Sequence, residues 1–437
     1  MVKDKQPVGK DKQPVDEYEE KDLRTHIYDT TDTYAGSDQL IKTNLAIFRE
    51  NEKNITITET EYIPVIYKMF DEIIVNSRDQ RERLKGVTGA VHLTEIKVDI
   101  DKETGIISIY NNGDGIRIEK HSSGLYNPNL IFGRLLTSGN YKKDEKRTVG
   151  GKNGYGAKIV NIFSDSFDVE TGDRFTKQKY FQHFYENMKK VDEPVIKKYT
   201  GKPYTRVTWK TDFKRFGITG FSDDMVALMK RRVYDIAGVT DNKVTVSYNG
   251  KRVNVNSFQD YIELYPSAIK TYEHLSERWE VGICVSPNDK FEQLSFVNGI
   301  STPNGGIHVD TVTKMISSLV VKYIKKKHKK DVQEKYVKNY LSVYLNCIIE
   351  NPSFDSQAKE RLITPKSKFG SQPEITEKLI KKVCDTGLSE KVMQFSDFKE
   401  NTLAKKTNGV KKNKLRDIPK LDDANWAGGR KSEQCTL

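Results

Sequence analysis

A change of hydrophobic period constrains this chain most. Over residues 62–74 the apolar side chains Tyr62, Ile66, Met69, Phe70 and Ile73 recur every three or four positions, the spacing of a helix with one buried stripe. The period then drops to two. EIKVDID (95–101) alternates apolar and polar residues, a turn follows at Glu103 to Gly105, and IISIYN (106–111) completes the pattern of a hairpin. Further strand-like runs are FDVET (167–171), KYFQHF (179–184), RVTWK (206–210) and KVTVSYNGKRV (243–253), the last turning at Asn-Gly. Helix alternating with antiparallel sheet predicts the α+β class.

The chain has 437 residues, enough for two or three domains at ~100 to 200 residues each. With 36% hydrophobic and 31% charged residues, it is too apolar for general disorder and too polar for a membrane protein. No run of ~18 apolar residues or signal-peptide core is present, so no membrane partner is expected. The net charge of +12 favours an anionic partner. Cys284, Cys347, Cys384 and Cys435 are scattered with no Cys-x-x-Cys pair, which argues against a zinc ribbon or a disulfide framework. KDKQPV occurs twice, at 3–8 and 10–15, and residues 1–17 read as a disordered tail. No longer repeat points to a solenoid. A boundary is expected near 235, dividing a first domain (18–235) from a second (236–420). The second holds the hairpin at 243–253, a Gly-rich loop at 299–306 and a helix from about Val309 to Lys330. Residues beyond 400 read as a Lys-rich loop.

Three segments can carry chemistry. Glu72, Asn76 and Asp79 share one helix face at offsets of four and three. There a carboxylate can deprotonate water while an amide oxygen holds a hard cation such as Mg²⁺; the alternative is a solvated face. NNGDGI (111–116) ends a strand, its glycines letting a planar ligand approach the backbone while Asn111 exchanges hydrogen bonds with an amide-like ring edge. An ordinary Asn-Gly turn would look the same. GGKNGYGAK (150–158) sets a Gly-rich loop before a helix start, where exposed amides with Lys152 and Lys158 suit a polyphosphate. It lacks the Walker A and Rossmann spacings, and a plain surface loop is the alternative.

In this order the three segments resemble the Bergerat (GHKL) nucleotide fold of gyrase-type topoisomerases, heat-shock chaperones, histidine kinases and mismatch-repair ATPases. The longer strings FDEIIVN, YNNGDGI, LIFGRLLTSGNY, GGKNGYGAK, FVNGISTPNGGIHVD and ENPSFDSQAK are similar to eukaryotic-type (type IIA) DNA topoisomerase II, over residues from about 20 to 437. A GHKL ATPase of chaperone or mismatch-repair type is the competing class, and a non-catalytic DNA-binding scaffold a third.

The resemblance implies a GHKL ATPase domain with an N-terminal dimerisation arm, followed by a ribosomal S5-like transducer domain. It implies ATP and Mg²⁺ as cofactors, with Glu72 as general base and Asn76 as the metal ligand. Asn111 would face adenine, helped by Thr205, which could equally be an ordinary β-branched strand residue. Ser138, Gly139 and Asn140 would touch ribose and phosphates, although family members often carry Ser where Gly139 stands. Gly151, Lys152, Asn153, Gly154, Tyr155, Gly156, Ala157 and Lys158 would form the phosphate-wrapping lid. QAK (357–359) matches the family's QTK, so Lys359 would reach the γ-phosphate with Gln357 beside it, while Ala358 departs from Thr. Tyr18 approximately matches a tyrosine that crosses to a partner subunit. His308 reads as structural.

KYIKKKHKK (322–330) resembles the transducer's lysine-rich loop, making Lys325, Lys326 and Lys327 candidate contacts to double-stranded DNA. A solvated helix end or a nuclear-localisation-like signal are the alternatives. Residues 421–437 read as a linker toward a Toprim domain that is not among these residues, so this chain is expected to be the ATP-operated entry gate of a homodimeric enzyme rather than its DNA-cleaving part. Nuclear residence is expected, or a cytoplasmic site or virion if the source is viral.

Overall fold

In the computed structural model, residues 19–137, 146–151, 154–266, 269–407 and Glu433 are described. The expected tail, Tyr18, Ser138, Gly139, Asn140, Lys152, Asn153 and the 421–437 linker apart from Glu433 lie outside them.

Helices α1 (Leu23–Asp29) and α2 (Thr31–Tyr34) precede a two-stranded antiparallel sheet of β1 (Ile41–Ile47) and β2 (Thr56–Tyr62). Pro64 opens α3 (Pro64–Leu84), a position where a missing N–H costs no helical bond and the fixed φ suits the first turn. Tyr62 therefore closes a strand instead of joining the helix.

The hairpin follows as β3 (Glu95–Ile100) and β4 (Ile106–Asn112), in register from Ile96 opposite Asn111 to Ile100 opposite Ile107. Next come α4 (Asn127–Gly133), α5 (Gly156–Ile162), β5 (Ser164–Asp173), β6 (Gln178–Tyr185), β7 (Lys190–Val191), β8 (Val195–Lys198) and β9 (Tyr204–Thr211). Then α6 (Asp223–Gly238), β10 (Thr245–Tyr248), β11 (Lys251–Arg252) and α7 (Phe258–Glu263) complete the first unit. Its large sheet has the order β11-β10-β3-β4-β9-β5-β6-β7, with β8 also paired to β6. Every pairing is antiparallel except β10 with β3.

This pairing bears on the expected boundary. Residue 235 lies inside α6, and the hairpin read at 243–253 forms but extends the first sheet, because Thr245 to Tyr248 run parallel to Glu95 to Val98. The second sheet begins only at Thr271.

That sheet contains β12 (Thr271–Ser276), β13 (Trp279–Val285), β14 (Glu292–Val297), β15 (Ile300–Ser301) and β16 (Leu341–Cys347), in the order β12-β13-β16-β14-β15. It packs under α8 (Ile307–His328), with α9 (Glu334–Asn339), α10 (Glu377–Val383) and α11 (Ser389–Thr407) around it. The region after 400, read as a loop, is helical as far as Thr407.

Two cores result. Ile66, Phe70 and Ile73 of α3 pack with Ile96, Ile109, Val169 and Val207 from the large sheet, while Val312, Ile316 and Val320 of α8 pack on Val281, Val343 and Leu345. Each fully buried side chain of this size contributes about 1.5–3 kcal/mol relative to exposure. Yet α3 is not a surface helix with a single stripe: Lys68, Asp71, Glu72, Arg78 and Asp79 are buried as well. Its polar face is covered by α5, α6 and the second unit, and that covering builds the site.

Candidate active site

Glu72 is 6% exposed. Its Oε1 accepts a bond from Lys359 Nζ at 3.1 Å and lies 3.0 Å from Lys68 Nζ. Burial alone would raise the Glu72 carboxyl, but the Lys359 and then the Lys68 ammonium outweigh it and hold it below the usual carboxylate range. Glu72 is thus an ionised carboxylate in a nearly dry place. Its other oxygen, Oε2, faces the start of α5. A Cβ at Gly156 would stand 2.0 Å from it, so only glycine lets the helix approach this closely.

Asp79 sits one turn beyond Asn76. It is fully buried, and its carboxylate accepts the Gly150 amide at 2.9 Å and the Gly151 amide at 3.1 Å. Burial nevertheless pushes its carboxyl upward. It fastens the stem of the Gly-rich segment to α3. Asn76, between Glu72 and Asp79 on the same face, is half-buried, so the solvated-face alternative does not hold for this trio.

The sheet supplies the next part. Asn111 on β4 pairs in register with Thr205 on β9, which in turn pairs with Thr171 on β5. Residues adjacent across neighbouring strands project to one face, so these three form a row. Asn111 is 7% exposed. Thr171 Oγ1 accepts the Ile116 amide at 2.9 Å and donates to the Tyr204 carbonyl at 2.8 Å, tying the NNGDGI loop to β9.

At the start of α5, Gly154, Tyr155, Gly156, Ala157 and Lys158 follow one another. The Lys158 ammonium donates to the carbonyls of Thr137 at 2.8 Å and Gly154 at 2.5 Å, and burial pulls its pKa down to about 8.

The second unit closes the site from the other side. Lys359 lies on a loop in the left-handed region at φ 65°, is 7% exposed, and follows half-buried Gln357. Asn351 N donates to the Arg147 carbonyl at 2.8 Å, so the same loop region also holds the stem of the Gly-rich segment. A sheet in one unit and a loop in the other therefore converge on one helix face. Lys325, Lys326 and Lys327 are elsewhere, in the last turn of α8. At ~1.5 Å per residue they begin roughly 27 Å along the helix from Ile307. Lys325 pairs with Asp331 at 2.8 Å and Lys327 with Asp385 at 3.4 Å. His308 is fully buried against Thr302, its pKa pulled down to about 3 by burial, as a structural residue would be.

The family described as histidine kinase-, DNA gyrase B- and HSP90-like ATPase matches residues 62–184, and DNA gyrase B matches 248–413. The chain is 40% identical to the crystallised ATPase region of Saccharomyces cerevisiae topoisomerase II, covering 88% of this chain and 99% of that one with a TM-score of 0.81. The chain belongs to the type II DNA topoisomerase family. It corresponds to that family's ATPase region, with the GHKL fold followed by a transducer. The ATPase and transducer domains of the Balamuthia mandrillaris enzyme agree, at 34% identity, a TM-score of 0.84 and coverage of 89% of this chain and all of that one. DNA topoisomerase 2 of Arabidopsis thaliana is 43% identical over 434 residues, 96% of this chain but 29% of the plant protein. The chain thus spans less than a third of the length of such curated relatives.

Three charged residues of this topoisomerase region were given no role by the sequence reading: Lys68, whose i+3 and i+4 spacing to Asp71 and Glu72 is a local signal, Asp71 itself, and Arg232, for which no local signal exists. Asp71 takes Lys68 Nζ at 3.1 Å and Arg232 Nε at 2.7 Å, while Arg232 Nη2 reaches the Gly299 carbonyl of the second unit at 2.8 Å. Asp71 directly precedes Glu72, but its partner on α6 is 161 positions away, beyond the reach of any periodicity or spacing.

Proposed function

We propose that this chain binds and hydrolyses ATP and that, in the full-length enzyme, two copies close as a gate around a DNA duplex. The observation that supports it best is the contact of Lys359 Nζ with Glu72 Oε1 at 3.1 Å, because it joins the transducer to the carboxylate placed to activate water. In this reading Asn111 and Thr205 face adenine, and Gly151 through Lys158 wrap the phosphates. Ser138, Gly139 and Asn140 belong to the same proposal, as do Gln357 and Lys359 at the γ-phosphate.

Glu72 takes the proton of the attacking water. Lys359 moves from Glu72 to the terminal phosphate, which gives nucleotide a higher affinity for the closed arrangement and ties hydrolysis to reopening. Mg²⁺ suits Asn76 as a single amide oxygen. No metal-binding cluster of His, Cys, Asp or Glu occurs among the described residues, which fits an ion held mainly by substrate phosphates and water. Bound there, it would neutralise phosphate charge.

Lys325, Lys326 and Lys327 would meet the phosphate backbone of double-stranded DNA. Among the described residues no helix is long and apolar enough to cross a membrane. Nuclear residence accompanies this reading. Glu72→Gln tests it: nucleotide binding should persist while turnover falls at least ~100-fold. Retained turnover would remove Glu72 as the base.

A further inference from the structure

Helix α10 turns one face into the second core and leaves the other uncovered. Leu379, Ile380 and Val383 are buried, while Lys378, Lys381 and Lys382 are exposed. Offsets of three and four place these lysines together on one side of the helix. The Thr376 hydroxyl caps α10 by accepting the Leu379 amide at 3.1 Å and donates to Glu273 of β12 at 2.7 Å, so the row stands on a fixed element.

Like charges at these spacings destabilise a helix. The helix dipole favours Lys381 and Lys382 in the last turn, but it disfavours Lys378 in the first. Lys325, Lys327, Lys330, Lys338 and Lys391 of the same unit each hold an aspartate, whereas no carboxylate among the described residues pairs with Lys378, Lys381 or Lys382. A row that repels itself and lacks counter-charge suits a partner with closely spaced negative charge. Its position points the same way. Asp385, in the turn Cys384–Leu388 that follows α10, accepts Tyr323 at 3.2 Å and Lys327 at 3.4 Å, which sets the end of α10 against the last turn of α8.

We propose that Lys378, Lys381 and Lys382 form a second phosphate-contact surface for double-stranded DNA, adjoining the end of α8. From Lys378 to Lys382 the helix rises about 6 Å, the spacing of roughly two phosphates along one strand. The contact is with the backbone alone and reads no base sequence. Lys325 and Lys327 share their charge with Asp331 and Asp385, while the α10 row brings its charge undiminished. The proposal rests on the reading that this chain meets a DNA duplex.

The test is binding of a short mixed-sequence DNA duplex to the whole chain across a salt series. Lys378→Gln, Lys381→Gln and Lys382→Gln are made together, and a second triple variant neutralises Lys325, Lys326 and Lys327. A control removes the same charge from the first unit through Lys197→Gln, Lys198→Gln and Lys202→Gln, three exposed lysines remote in sequence from α10. If all three α10 lysines meet phosphates, the log–log salt slope falls by about 3, and the loss of affinity between about 50 and 200 mM salt becomes roughly 40-fold smaller than in the parent. The control should keep the parent slope. Thermal unfolding should show the α10 variant no less stable than the parent, since a repulsion has been removed. An α10 variant with the parent slope overturns the proposal, as does a control that loses as much slope, the sign of bulk charge alone. If the parent itself does not bind the duplex, the DNA reading falls and this surface with it. If the parent binds and only the α8 variant loses slope, the DNA reading stands and the α10 surface is lost.

Discussion

Lys158 shows how one residue can combine a cost with a use. It is 2% exposed, and its ammonium rests on the Thr137 and Gly154 carbonyls. Burial lowers its pKa to about 8 from an ordinary 10.5. Below pH 8 both the folded and the unfolded chain hold the proton, and the folded state bears the whole desolvation cost. Between pH 8 and 10.5 only the unfolded chain keeps it, so folding stability rises with pH through that window, by at most roughly 3 kcal/mol. Lys158→Met should therefore be more stable than the parent at pH 7, with the gap closing by pH 10. Urea unfolding of both proteins across that range measures it, and a gap that does not change with pH would refute the burial cost. An anionic phosphate near Lys158 would raise its pKa again, which is how a destabilising lysine becomes a useful one.

Among the elements, α3 and α6 are bound by charge as well as by apolar packing. Burial would raise the Asp71 carboxyl, yet Arg232 and then Lys68 hold it well below the usual range. The stability this supplies is complete above an unfolded pKa of 3.8 and is lost as pH falls through the lowered folded value. Asp71→Asn would leave fully buried Arg232 without its carboxylate on α3, at a cost of about 3–5 kcal/mol. Arg232→Met combined with Asp71→Asn should recover much of that loss, because no uncompensated guanidinium remains. A double-mutant cycle in chemical unfolding decides this, and strictly additive losses would show that the pair is not coupled. The same scale shows where local pattern reaches its limit. The hairpin Glu95–Asn112 was legible because alternation and a Gly turn are local. The assignment of Thr245 to Tyr248 to the first sheet was not, because its partner β3 lies about 150 positions earlier in the chain.

In the whole molecule the two units meet around α3. Gly150 lies against Ile300, Arg147 is bonded to Asn351, Lys68 to Ala358, and Lys359 to Glu72. In the proposed mechanism nucleotide draws Lys359 away from Glu72, and that would alter this joint. With Mg²⁺ and a non-hydrolysable ATP analogue, the solution mass should shift from monomer to dimer, and Lys359→Ala should weaken the shift. An unchanged mass despite proven analogue binding would count against a gate formed by this chain alone. Neutralising Lys325, Lys326 and Lys327 together should lower DNA affinity and reduce its salt slope by up to about 3, since each lysine that pairs with a phosphate releases about one counterion. An unchanged slope would remove them from the DNA surface. The sequence by itself determined the α+β class, the helix bearing Glu72, Asn76 and Asp79, the strand end at Asn111 and the Gly-rich helix start, since each is written in neighbouring residues through period, turn chemistry and spacing. Resemblance of whole strings added Lys359, whose side chain alone gives no sign of function. Only the tertiary structure decided that the polar face of α3 is buried, that Glu72 carries two lysines, and that Asp71 and Arg232 carry the joint between units. The physical reason is that burial and ion pairing are set by which distant segments cover a helix face, and a helix shows the same sequence whether that face meets water or protein.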